Sequence, residues 1–158
     1  MSRTHAVRPL AILLAVLMVA SCGPAAFEPN IEKTQFADSL GVDLANSTRT
    51  ARGLWYRDIT VGGGAQVPND TGTTVTVRYV GYLRNGVQFD AGTLAPFKTG
   101  SGALILGFDE GVRGMRVGGR RQLIVPPSLG YGDVQQGSIP PSSILVFVVD
   151  LLALTPPA

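Results

Sequence analysis

Conventional reactive groups are few in this sequence. It has one cysteine, Cys22, one histidine, His5, and an adjacent carboxylate pair, Asp109-Glu110. Acid/base work by two carboxylates needs them to converge, and neighbouring helix positions point apart, so the pair reads as negative charge at a helix start. The glycines at 62–64 and at 111, 114, 118 and 119 lack the strand, turn and long helix of a phosphate cradle, and no P-loop lysine follows them; they read as turns. Ring chemistry is more prominent: Tyr79, Phe89 beside Asp90, Phe97 after a proline, Phe108, Tyr131 between two glycines, and Phe147. Such rings fill a core or line an apolar pocket, and residue type alone favours core. The segment PPSLGYGDVQQGSIPPSS (126–143) brackets Gly-Tyr-Gly with two proline pairs. It is either a plain turn or one wall of a pocket.

These residues need elements to hold them. With 20 glycines and 11 prolines in 158 residues, many short strands and turns are expected rather than long helices. LWYRDIT (54–60) is a short strand, and TTVTVRYVGYL (73–83) alternates, with Val75, Val77 and Tyr79 on one face and Thr74, Thr76 and Arg78 on the other. Asn85-Gly86 predicts a hairpin through a type I′ turn, returning the chain along VQFD. GFDEGVRGM (107–115) is the one helical stretch, with Phe108, Val112 and Met115 on one face. RQLIV (121–125) and ILVFVVDLLAL (144–154) close the chain as strands, the last apolar enough to be central in the sheet.

The first residues are set apart from folding. Arg3 and Arg8 precede an apolar run from Leu10 to Ala20, shorter than the roughly 20 residues that span a bilayer, so residues 1–21 are expected to be an export signal. The run ends Val19-Ala20-Ser21-Cys22, which resembles a bacterial lipobox, where the chain is cut before a cysteine that takes lipid. Cys22 is the expected lipidation site, residues 22–50 a lipidated N-terminus and tether, and residues 51–158 the domain. Phe36, Leu40 and Asp43-Leu44 leave open that part of the tether docks on the domain. Without Arg3 and Arg8 the chain has 11 basic residues against 11 acidic ones. A net charge of zero without a basic run excludes a nucleic-acid footprint. His5 departs with the signal, and with it histidine triads and histidine zinc sites.

VRYVGYLRNGVQFD, PFK, LGFDEGVRGMRVGGRRQLIVPPSLGYG and IPPSSILVFVVDLL resemble, in order and with close spacing, the FKBP family of peptidyl-prolyl cis-trans isomerases. The resemblance covers residues 53 to about 155 and rests on the combination of FD, EG-x-x-GM-x-x-G, IVPP-x-LGYG and IPP-x-x-x-LVF. It implies an α+β fold, a strongly twisted antiparallel sheet wrapped over one short helix. It also implies a proline pocket walled by Tyr79, Phe89, Phe97, Leu104, Ile105, Phe108, Ile139 and Phe147, with Asp90 and Tyr131 as polar, catalytic groups and Ile105 offering its backbone N–H to the peptide. Phe108 stands where the family usually has tryptophan, and Ser138 where a bulky aliphatic is common.

The implied activity makes and breaks no covalent bond and needs no metal, nucleotide or other cofactor. An X-Pro amide rotates over tens to hundreds of seconds against a barrier of roughly 18 to 20 kcal/mol. The expected partners are proline-containing polypeptides and FKBP-type macrolide inhibitors, with a membrane reached through lipid on Cys22. The expected place is the bacterial cell envelope, with the domain in the periplasm or outside the cell. A second reading keeps the fold but makes the pocket a peptide-binding holdase or adaptor with weak turnover.

Overall fold

The computed structural model describes residues 28–155; the expected export signal and the expected lipidation site, Cys22, lie outside them. Six strands form one antiparallel sheet: β1 (Thr48–Arg49), β2 (Trp55–Thr60), β3 (Thr74–Leu83), β4 (Gln88–Lys98), β5 (Arg120–Val125) and β6 (Leu145–Thr155), in the spatial order β1-β2-β5-β6-β3-β4. One helix, α1 (Leu106–Val112), lies against one face of it. The architecture is the expected α+β one. β6 is internal because its near-continuous apolar run is buried among neighbours, pairing with β3 on one side and β5 on the other. On β3, Val75 and Val77 are buried while Thr74 and Thr76 are half-exposed, as the alternation requires.

The hairpin forms where Asn85-Gly86 predicts it, but its turn is not type I′. Only Gly86 has positive φ (87°). The loop has three residues: Gly86 N–H donates to the Leu83 carbonyl (2.9 Å) and Leu83 N–H to the Val87 carbonyl (2.8 Å). Asn85 instead accepts the Val87 N–H on its side-chain oxygen (3.1 Å), a local bond that Asn makes without leaving ordinary φ. β4 also runs on past VQFD to Lys98. It tolerates Pro96 because Val75 pairs Phe97 and Val77 pairs Leu94, leaving the proline in a bulge on a sheet edge.

The helix is shorter than GFDEGVRGM, ending at Val112. A Cβ on Gly111 would lie 2.5 Å from Leu123 Cδ1, so only glycine lets α1 approach β5 this closely. Arg121 ties the helix's C-terminal end to the sheet. Its guanidinium donates to the carbonyls of Gly111 (3.0 Å) and Arg113 (2.9 Å) and to both Asp58 carboxylate oxygens (2.7 and 3.0 Å), with the Tyr56 ring 4.4 Å away. A buried cation so fully partnered satisfies the carbonyls that a helix end leaves open.

Two apolar clusters stabilise the fold. The larger lies between helix and sheet around Phe108, Val112, Met115, Leu123, Leu145 and Phe147. The smaller joins the buried Ile31, Ile124 and Ile144 with Phe36, Val42, Leu44 and Trp55. Residues 28–50 therefore dock, the alternative that Phe36 and Leu44 left open. The segment crosses the domain through three short 3-10 turns (Ile31–Lys33, Asp38–Leu40 and Leu44–Asn46) and ends in β1. Polar anchors fix it: Gln122 Nε2 donates to the Leu40 carbonyl (2.7 Å), Ala37 N–H to Arg84 (2.9 Å), and Ser128 Oγ to Glu28 (2.8 Å).

Candidate functional site

A cavity of about 490 Å³ opens beside the helix, lined by Tyr79, Phe89, Asp90, Leu94, Ala103, Leu104, Ile105, Phe108, Tyr131 and Phe147. Each wall comes from a different element. β3 supplies Tyr79, β4 supplies Phe89 and Asp90, the start of α1 supplies Ile105 and Phe108, the loop after β5 supplies Tyr131, and β6 supplies Phe147. Eight of the ten residues assigned to the pocket from the sequence meet here. Phe97 and Ile139 are not in the lining. Phe97 packs against the core cluster with its ring 6.4 Å from Phe108, and Ile139 is buried in the larger core cluster.

Adjacent strand residues normally point to opposite faces, yet Phe89 and Asp90 both reach the cavity. The cause is a bulge: Tyr82 pairs Gln88 and Gly81 pairs Asp90, leaving Phe89 as the extra residue. Bulges re-aim side chains in this way. Gly81 opposite is part of the same device, because a Cβ there would lie 2.7 Å from Phe89 Cζ and 3.0 Å from Phe147 Cε1. Sequence reasoning missed Gly81, Leu94 and Ala103. The signal for Gly81 was a glycine inside a strand pattern, which marks a close approach or bulge.

The rings pack edge to face. Phe147 meets Phe108 at 5.3 Å and 89°, and Phe89 at 5.6 Å and 89°; Tyr79 meets Phe108 at 5.8 Å and 84°. These separations and angles suit the ring quadrupoles, positive edge to negative face. Phe108 therefore does provide an apolar floor, three per cent exposed. The polar rim is sparse. Tyr79 donates its hydroxyl to Asp90 Oδ2 at 2.5 Å, and the Ala91 N–H donates to Oδ1 at 2.9 Å. Burial first, then the bond to the Asp90 carboxylate and its charge, push the Tyr79 hydroxyl up to about 12. It stays protonated throughout the neutral range, so its role is that of a donor. Tyr131 is 37% exposed, and its hydroxyl bonds to no group among the described residues.

Ile105 caps the helix through its carbonyl, which accepts from the N–H groups of Phe108 and Asp109 at 3.1 Å each. Its own N–H has no partner among the described residues, and Ile105 lines the cavity. Asp109 and Glu110 are taken up structurally: Asp109 accepts from the Gly100 N–H (2.7 Å) and from Arg113 (2.5 Å), and Glu110 faces Arg52 at 3.7 Å. Two further grooves, of about 390 and 480 Å³, run along the N-terminal segment. They hold a single aromatic residue between them, Trp55, and so lack the ring enclosure that excludes water from an apolar ligand.

Residues 66–152 match the family described as FKBP-type peptidyl-prolyl cis-trans isomerase. Among relatives, an FK506-binding protein of Streptomyces anulatus is 46% identical over 108 residues, which cover 64% of this chain and 86% of that protein. FK506-binding protein 4 of Gibberella zeae is 44% identical over 113 residues, 70% of this chain. The chain spans 22% of the length of that fungal protein and 34% of the Mycosarcoma maydis one. Among solved structures, FkpA from Escherichia coli aligns with a TM-score of 0.62 at 33% identity, covering 77% of this chain and 56% of that one.

Proposed function

This chain belongs to the family of FKBP-type peptidyl-prolyl cis-trans isomerases, and we propose that it accelerates X-Pro isomerisation in exported polypeptides by enclosing the prolyl ring in the aromatic cavity. The observation that carries this reading is a ring-walled cavity lined also by Ile105 and Tyr131, whose N–H and hydroxyl have no protein partner among the described residues. The planar amide is polar because resonance places charge on its carbonyl oxygen. Twisting the C–N bond removes that resonance and charge, so an apolar enclosure disfavours the planar state relative to the twisted one. That is differential binding in the catalytic direction. The two donors hold carbonyls flanking the rotating bond, and Asp90, fixed by Tyr79, orients the polar edge.

The test is a proline-isomer assay with a peptide carrying an apolar residue before proline, on the wild-type chain and on Tyr131→Phe. Wild type should accelerate the exchange. The variant should lose roughly two- to tenfold in kcat/KM, the loss of one hydrogen bond with ring packing retained. A folded but inactive wild-type chain that still suppresses aggregation of an unfolded client would favour the holdase reading.

Attachment to a membrane is the second element of the proposal, supported by the apolar run and the Val-Ala-Ser-Cys ending in the sequence. Each buried CH₂ contributes about 0.8 kcal/mol, so two or more chains on Cys22 hold stably where one holds only marginally. With Glu28 already bonded to Ser128, the six peptide steps from Cys22 reach at most about 20 Å. The domain would work close to the bilayer surface. Cys22→Ser should abolish lipid labelling while kcat/KM of the isolated protein is unchanged; mass spectrometry showing an unmodified Cys22 thiol in the native protein would make this an ordinary secreted isomerase.

A further inference from the structure

The loop between β5 and β6 carries Tyr131 on its first limb; its tip is closed by the Gln136–Ile139 pair, and next to Tyr131 its limbs are joined at one residue. Ser142 donates its backbone N–H to the Gly132 carbonyl (2.8 Å) and its hydroxyl to Asp133 Oδ1 (2.6 Å). Among the described residues no other hydrogen bond links residues 130–134 to residues 138–143. Gly132 and Asp133 directly follow Tyr131, so both bonds close on the backbone that aims the tyrosine.

Ser142 is also the only non-glycine residue at positive φ among the described residues (53°). A Cβ in that conformation crowds the following carbonyl, a cost that glycine escapes. Backbone stability alone favours glycine at this position, yet the residue present is one whose hydroxyl reaches Asp133. Strain retained beside a pocket, with a specific bond as its counterpart, is the pattern of a residue kept for geometry.

We propose that Ser142 is a positioning residue for the isomerase reaction, latching the two limbs of the loop so that the Tyr131 hydroxyl stands at the cavity edge. The inference rests on the reading that Tyr131 contacts the bound peptide. That contact is made alike in the planar and twisted states, so losing the latch weakens binding without slowing the bound step, and KM rises while kcat holds.

The experiment uses the full chain carrying Ser142→Gly, Ser142→Asn and Tyr131→Ala, with Ser142→Gly also combined with Tyr131→Ala. Ser142→Gly relieves the backbone and should leave Tm unchanged or higher, while KM for the X-Pro peptide rises roughly three- to tenfold, the effect of one hydrogen bond. Ser142→Asn accepts the same φ and can donate to Asp133, and should restore most of the affinity. In the Tyr131→Ala background Ser142→Gly should change nothing further, since a latch has no effect without the side chain it aims. An unchanged KM in Ser142→Gly, or full additivity in the double variant, overturns the latch. Wild-type kinetics in Tyr131→Ala overturns the assignment of Tyr131 itself, independently of Ser142.

Discussion

Phe147→Ala is expected to destabilise the fold by about 3 to 5 kcal/mol, the cost of removing a buried aromatic ring, and to abolish measurable isomerase activity. Phe147 is four per cent exposed on the central strand β6. Its ring meets those of Phe89, Phe108 and Tyr79 at centroid distances of 5.6, 5.3 and 6.4 Å. Truncation takes away the common partner of three pocket rings, so the cavity loses its wall and its neighbours lose their packing together. Chemical denaturation measures the first effect and the isomer assay the second. Phe147→Leu separates them, because it keeps most of the apolar volume but not the edge-to-face geometry. It should cost far less stability than Phe147→Ala while still lowering kcat/KM. A Phe147→Ala chain with wild-type stability and activity would remove this residue from the site.

The second large effect concerns residues 28–50. A chain beginning at residue 51 should be less stable than one beginning at residue 28 by roughly 3 to 6 kcal/mol, counting about 1.5 to 3 kcal/mol for each of the two isoleucine side chains newly exposed. Those are Ile124 and Ile144, buried at one and two per cent exposure in a cluster with Ile31 and the half-buried Phe36, Val42 and Leu44. Freeing the segment returns conformational entropy, which opposes this loss and makes the burial figure an upper estimate. Removal also leaves Gln122 without the Leu40 carbonyl that accepts from its Nε2, and takes β1 from the edge of β2. Comparing denaturant midpoints of the two chains checks this, and equal midpoints would mean that docking contributes no net stability. The same segment bonds Ser128, three residues before Tyr131, and Arg84, in the hairpin that leads to Phe89. The shorter chain should therefore also lose substrate affinity.

Much of the architecture could be read from one dimension. Val75 and Val77 alternate with threonines, so β3 had to bury one face; β6 is apolar almost throughout, so it had to be internal; Asn85-Gly86 marked the reversal. These features are local, set by side-chain period and turn preference over a few residues. The motif order from FD to IPP-x-x-x-LVF carried the family and, through it, most of the pocket. Eight of its ten assigned residues line one cavity.

What sequence could not supply depends on contacts between distant segments. Gly86 alone, not Asn85 with it, takes positive φ because the loop has three residues, closed by the Leu83–Val87 and Gly86–Leu83 bonds, and such a loop needs only its last residue left-handed. Phe89 and Asp90 share a face because Gly81, opposite on β3, leaves room for the ring. Ile139 lies in the core rather than the lining, on a loop that folds back on itself where Ile139 and Gln136 exchange backbone hydrogen bonds. Residues 28–50 could be tether or strap until Ile31 found Ile124 and Ile144, which lie about a hundred residues further along the chain. Periodicity determines which side of an element is apolar, since that is a property of neighbours in the chain. Only the packed structure decides which apolar surface meets which, because burial free energy depends on area removed from water and is indifferent to distance in sequence.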